Sequence, residues 1–213
     1  MLGVYVTVPV ACFRKGLARE YLETEPLPPP STCYGFLLSL VGETDRNRHI
    51  GVRITPVLLA SSPVSVVLRT VWRVKKTPLG SSGNTRPDYQ QLLSGVELVL
   101  WLDSSEEMAE ASDLEARVRM ALDPCERKNL SRFGGLSLGE STHLVNEVSL
   151  FNEDAQRRGR AFLIAERGRL TLPVWVDHVG SAGTNYVTGN LEDVPLTIPP
   201  TQRIPKISPH ERL

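Results

Sequence analysis

The chain has 213 residues, 41% of them hydrophobic and 23% charged, enough to bury a core as one large or two small domains. Its 24 Lys and Arg balance 24 Asp and Glu, which excludes a protein that coats polyanions with its whole surface and leaves only a local basic patch for any nucleic-acid contact. Cys12, Cys33 and Cys125 are odd in number, widely spaced and without a CxxC pair, so neither a disulfide framework nor a zinc site is expected. No apolar run reaches membrane-spanning length and no charged leader precedes a cleavage-like site; the reading is a cytoplasmic protein with no membrane partner.

In chain order, Val4, Val6, Val8 and Val10 alternate with Tyr5, Thr7 and Pro9, the period of a half-buried strand. Arg14, Lys15 and Gly16 follow directly, with Arg19 close behind. Pro26-Leu27-Pro28-Pro29-Pro30 must run extended and leads to Ser31-Thr32, hydroxyls suited to capping a helix. Tyr34, Leu37, Leu38 and Val41 then share one helical face. Gly35 leaves the first turn open to close approach.

Residues 50–59 and 64–74 read as two strands separated by Ser61-Ser62-Pro63. From Arg46 through Pro87 there is no acidic residue, while Arg46, Arg48, Arg53, Arg69, Arg73, Lys75, Lys76 and Arg86 all fall inside. A neutral chain has gathered its cations on one excursion. Residues 75–88 have the composition of a mobile loop. Residues 96–102 read as a buried strand with Trp101 in the packing. Leu114, Val118, Ala121 and Leu122 form the next helix face, which Asp123-Pro124 ends. Strand, helix, strands, helix and strand is the order of an α+β, ferredoxin-like (RRM-like) unit.

Arg127, Lys128 and Arg132 lead into Phe133-Gly134-Gly135-Leu136-Ser137-Leu138-Gly139, where glycines can turn backbone amides toward an anion. Residues 145–151, 161–166, 169–172 and 174–179 read as strands, the middle pair turning at Arg167-Gly168. Residues 180–189 read as loop, and 195–213 as a proline-rich tail lying on the body or on a neighbour. The division expected is 1–150 for the α+β domain and 151–213 for a small β-rich segment.

Catalytic patterns are missing from the sequence. His49, His143, His178 and His210 are far apart, and Asp177-His178 as strand neighbours point to opposite faces. No nucleophile elbow, phosphate-binding loop or dinucleotide fingerprint occurs, and no cofactor is expected. Single-stranded RNA is held by cations along its backbone, amides at its phosphates and side chains on which bases stack. Arg14, Lys15 and Arg19, then Arg73, Lys75, Lys76 and Arg86, then Arg132, Phe133, Gly134, Gly135 and Ser137 supply those parts if the fold brings the three regions together. Tyr34 fits the core; Trp72 and Tyr89 suit either core or stacking. A metabolite-binding domain would show a compact apolar pocket instead of a basic groove.

Cys12-Phe13-Arg14, the run from Pro26 to Gly35, Asn84-Thr85-Arg86-Pro87-Asp88-Tyr89-Gln90-Gln91-Leu92-Leu93 and Gly134-Gly135-Leu136-Ser137-Leu138-Gly139-Glu140 together resemble the CRISPR-associated Cas5 family, the RAMP-superfamily subunit of type I Cascade complexes, with a type I-B or Myxan-like flavour. The resemblance implies a RAMP domain with a basic thumb-like excursion at about 74–90 and a crRNA partner held by its 5' handle. It also implies a Cas7-type backbone subunit and a Cas8-type large subunit beside it, and target DNA reached through the complex. One family branch cleaves precursor crRNA without metal, using a Lys-His pair before the tyrosine that aligns with Tyr89. Here those positions are Pro87-Asp88. Proline offers no acid-base group and aspartate repels a phosphate, so a non-catalytic subunit is expected, with the endoribonuclease as the alternative.

Overall fold

The computed structural model describes residues 1–16, 21–72, 78, 80–108, 112–179 and 182–210. Arg19, Arg73, Lys75, Lys76 and the ring of Trp72 lie outside the described residues.

The first strand, β1 (Leu2–Ala11), buries Val4, Val6 and Val8 as its alternation predicts. Val10 breaks the pattern at 40% exposure, and Ala11 turns inward instead. Between the pairs Val8–Val96 and Val10–Ser94 lie Pro9 and Gly95, and Gly95 takes φ 63°, a left-handed kink that shifts the pleat. After the short β2 (Tyr21–Leu22), the prolines feed α1 (Pro30–Leu40). Pro30 occupies the first helical position, where its missing N–H costs nothing. Ser31 and Thr32 sit inside the helix and do not cap it; Pro29 occupies the cap position, with φ −56° and ψ 151°. Proline cannot adopt another φ, so the helix begins two residues earlier than a cap at Ser31 predicts. Tyr34, Leu37, Leu38 and Val41 are buried, and so are Cys33, Phe36 and Leu40.

Strands β3 (Arg53–Leu58), β4 (Val64–Trp72), β5 (Thr85–Asp103), β6 (Glu147–Phe151), β7 (Asp154–Ile164), β8 (Leu170–Trp175) and β9 (Asn185–Leu196) complete the sheet with α2 (Leu114–Leu122) between β5 and β6. The sheet path is β6-β1-β5-β3-β7-β9-β8, antiparallel throughout, with β4 (antiparallel) and β2 (parallel) also pairing with β5. Both helices pack on one face, against Val4, Val6, Val8, Ile54, Leu58, Leu98, Leu100 and Leu102. Val57, Val99, Trp101, Ala161, Leu163 and Leu196 form a second, smaller cluster.

Four segments differ from expectation, one of them 154–160, which extends β7 ahead of the strand expected at 161–166. The run 85–88 is strand, because β5 is 19 residues long and its first half pairs with β4 as a hairpin that leaves the body. Residues 170–175 form one strand, where two were expected at 169–172 and 174–179. Residues 185–189, expected as loop, open β9, which pairs with both β7 and β8. The tail beyond residue 200 lies on the body: Ile207 N–H donates to Val52 O at 2.8 Å, Ile54 N–H to Pro205 O at 2.9 Å, and Ile204 and Ile207 are fully buried.

Candidate nucleic-acid interface

The outward side of α1 is lined by small residues, since the extended prolines deliver the helix to the sheet with its large side chains inward. Three clefts adjoin along it. The first, of about 330 Å³, is walled by Arg14, Lys15, Gly16, Glu25, Ser31 and Thr32 on one side and Thr171, Asp177 and Tyr186 on the other. The second, of about 380 Å³, shares Ser31 and Thr32 and adds Tyr34, Gly35, Ser39, Arg46, Ser137, Gly139, Trp175 and His178. The third, of about 660 Å³, shares Gly35, Leu38 and Ser39 and ends at Ser131, Arg132 and Phe133. An 11-residue helix spans about 16 Å, so the run is long enough for a few nucleotides of a single strand. Arg14 and Lys15 thus stand at one end of this trough and Arg132 and Phe133 at the other, with Ser137 between them. Phe133 is fully exposed.

The glycine-rich loop is seated by a knot of side chains that ties it to β1 and to the β4–β5 hairpin. Gly139 has φ 102° and lies so close to β1 that an added Cβ would stand 2.8 Å from the Cys12 carbonyl oxygen. His143 Nδ1 accepts from the Cys12 amide and from the Glu140 amide, both at 3.2 Å. The Glu140 carboxylate accepts from Gln90 Nε2 at 3.0 Å and from Arg69 at 3.3 Å. End of β1, hairpin and glycine loop therefore meet at one turn. Burial, helped by Arg69 and opposed by Glu140, pushes the His143 pKa down; since Nδ1 accepts from two amides, the ring's donor is Nε2. Gly134, at φ 81°, is exposed, and its carbonyl accepts from Arg132 at 3.2 Å, so Arg132 braces its own loop. Gly135 packs near Leu144, and Ser137 bridges to Leu144.

On the hairpin, Arg86 pairs with Asp88 at 3.2 Å, and Asp88 is buried. Tyr89 points the other way, 54% exposed and edge-on to Tyr21 at 6.5 Å. Val64, Val66 and Leu68 are exposed on β4, and Leu68 is in register with Tyr89. Lys15 is paired with Glu23 at 3.5 Å. Among the described residues no cluster of His, Cys, Asp and Glu is placed to hold a metal ion, and no helix is long and apolar enough to cross a membrane.

Sequence reasoning missed the contribution of β8 and of the turn after α1. Arg46 stands over the Trp175 ring, 3.8 Å from its centroid, and His178 lines the same cleft. Arg46 was visible only as one cation of the acid-free run, and Trp175 only as a strand residue.

The architecture is that of CRISPR-associated proteins of known structure. A chain of a "CRISPR RNA-guided surveillance complex" superposes with TM-score 0.58 at 12% identity, covering 91% of this chain and 90% of that one. A second solved structure, described as a Cas protein, gives TM-score 0.54 at 16% identity over 96% and 97% of the two chains. No protein-family model matches. In sequence, the CRISPR-associated protein Cas5 of Myxococcus xanthus (strain DK1622) is 53% identical over 210 residues, 97% of each chain. The chain belongs to the CRISPR-associated Cas5 family.

Proposed function

We propose that this chain is the non-catalytic subunit of a type I CRISPR effector that grips the 5' handle of the guide RNA and caps the backbone of the complex next to its large subunit. The observation that carries the reading is the trough along α1, with Arg14 and Lys15 at one end, Arg132 and Phe133 at the other, and the glycine loop seated between them by Gly139, Glu140 and His143. Cations for phosphates, small residues that admit a backbone and an exposed aromatic are the parts a single-stranded RNA site needs. The strand order β6-β1-β5-β3, with helices after β1 and β5 on one face, supports a ferredoxin-like body in which the glycine loop belongs beside the first helix. The β4–β5 hairpin, with Val64, Val66, Leu68 and Tyr89 exposed, fits a thumb reaching a neighbouring backbone subunit in the cytoplasm.

The endoribonuclease alternative draws little from the geometry. Asp88, in the position where the cleaving branch carries a catalytic residue, is buried against Arg86, and His143 has its Nδ1 engaged by two amides. A general base needs a free lone pair facing the reacting hydroxyl. The test is to mix the full chain with end-labelled repeat RNA, without other subunits and without metal. Retention of the RNA on the protein, uncut, with weakened binding in Arg14→Ala/Lys15→Ala, is the expected result. A discrete cleavage product would overturn the non-catalytic reading, and absence of any retention by the full chain or its assembled complex would overturn the RNA site.

A further inference from the structure

The second cleft along α1 contains an arginine stacked on an aromatic ring. Arg48, Arg53, Arg69, Arg86, Arg117, Arg119, Arg158 and Arg203 each meet a carboxylate. Arg46 meets none among the described residues; its guanidinium carbon stands 3.8 Å from the centroid of the Trp175 ring, a stacking distance. Tyr34 fixes the other end of the residue, its hydroxyl donating to the Arg46 carbonyl at 2.6 Å, and packs tilted against the same tryptophan at 6.4 Å. Backbone and side chain of Arg46 are thus both held in place, with an uncancelled charge at the wall of an open cleft. Ser39, Ser137 and His178 present hydrogen-bonding atoms around it, and Leu38, Val174 and Trp175 give it an apolar lining.

We propose that the Arg46 guanidinium, backed by Trp175, is the platform on which one unstacked RNA base lies as it enters the cleft between α1 and β8. The inference rests on the RNA-binding reading above and adds to it a base site, where the cations at the trough's ends address phosphates. A planar guanidinium with one face on an aromatic ring offers its second face to another flat ring. The mixed lining suits a base, apolar on its faces and polar at its edges, better than a phosphate, which needs donors on several sides. The neighbouring hydroxyls and imidazole lie where base edges are read.

The experiment measures binding of the full-length chain to a short, labelled, mixed-sequence single-stranded RNA and to versions in which one nucleotide at a time is replaced by an abasic ribose. Arg46→Ala is expected to weaken binding on the order of tenfold. Arg46→Lys, which keeps the charge and loses the plane, is expected to restore little of it. One abasic position is expected to weaken wild type and leave Arg46→Ala unaffected, the sign that base and guanidinium act on each other. If Arg46→Lys binds like wild type, or no abasic position couples to residue 46, the platform is wrong and Arg46 is only a charge, while the RNA site itself stands. If wild type binds none of the RNAs, the RNA reading fails and takes the platform with it.

Discussion

Glu43 holds together the loop that presents Arg46. It accepts from Arg117 and, at 3.2 Å, from Arg48, and its other oxygen accepts from the Thr44 and Asp45 amides at 3.0 Å. The hydrogen bond from Arg117 outweighs desolvation and holds the Glu43 pKa down to about 2. His49, fully buried beside it, is bonded through Nδ1 to Glu107 and accepts at Nε2 from Arg117 at 3.0 Å; since a guanidinium only donates, the ring proton sits on Nδ1. A carboxylate whose folded pKa lies below its unfolded value of 4.5 contributes stability that is complete above that value and drains away as pH falls toward 2. Chemical unfolding followed from pH 7 to pH 2 should therefore lose about 2 kcal/mol through Glu43 in that acid window. Arg117→Ala should cost about 2–4 kcal/mol at neutral pH, because it strands a buried carboxylate and imidazole, and should flatten the acid limb. An unchanged acid limb in that variant would remove Arg117 as the cause.

At the scale of elements, the parts legible in the sequence were those with one clean period. Val4, Val6 and Val8 of β1 and the apolar face of α1 put their residues in the core, and Leu114 and Val118 did the same for α2. The hairpin half of β5 escaped because Asn84 to Asp88 has turn chemistry; Pro87 is tolerated there since β2 covers only Tyr89 and Gln90, which leaves the strand edge open at residue 87. Strand β9 escaped because among its 12 residues only Gly189 and Leu196 are buried, so no alternation marks it. The candidate trough followed the same division. The Arg14, Lys15, Arg132 and glycine-loop components were visible from charge and turn residues, whereas the Arg46–Trp175 contact joins positions far apart in sequence that no spacing relates. The tail was legible as extended, but not its energetic weight. Ile207 is buried among core residues and its amide completes the edge of β3 at Val52. Ile207→Ala should accordingly lower unfolding stability by about 2–4 kcal/mol, as a core truncation does; a loss under about 0.5 kcal/mol, typical of a surface change, would show that the tail only rests on the body.

For the molecule as a whole, charge is balanced and what matters is where it stands. A site that neutralises phosphates releases one counterion set per contact, so the logarithm of affinity for single-stranded RNA falls against the logarithm of salt with a slope of about 0.7 per phosphate. Arg132 at the end of the trough and Arg158 on β7, the latter paired with Asp193, carry equal charge, and removing either changes the net charge by the same amount. If RNA responded to the overall field, the two losses would be equivalent. With the contacts confined to the trough, Arg132→Ala should reduce the slope by about 0.7 and Arg14→Ala/Lys15→Ala by about 1.4, while Arg158→Ala leaves it where it was. Titrations of the same RNA across a range of salt concentrations decide this, and equal slopes for Arg132→Ala and Arg158→Ala would mean that the trough does not carry the RNA.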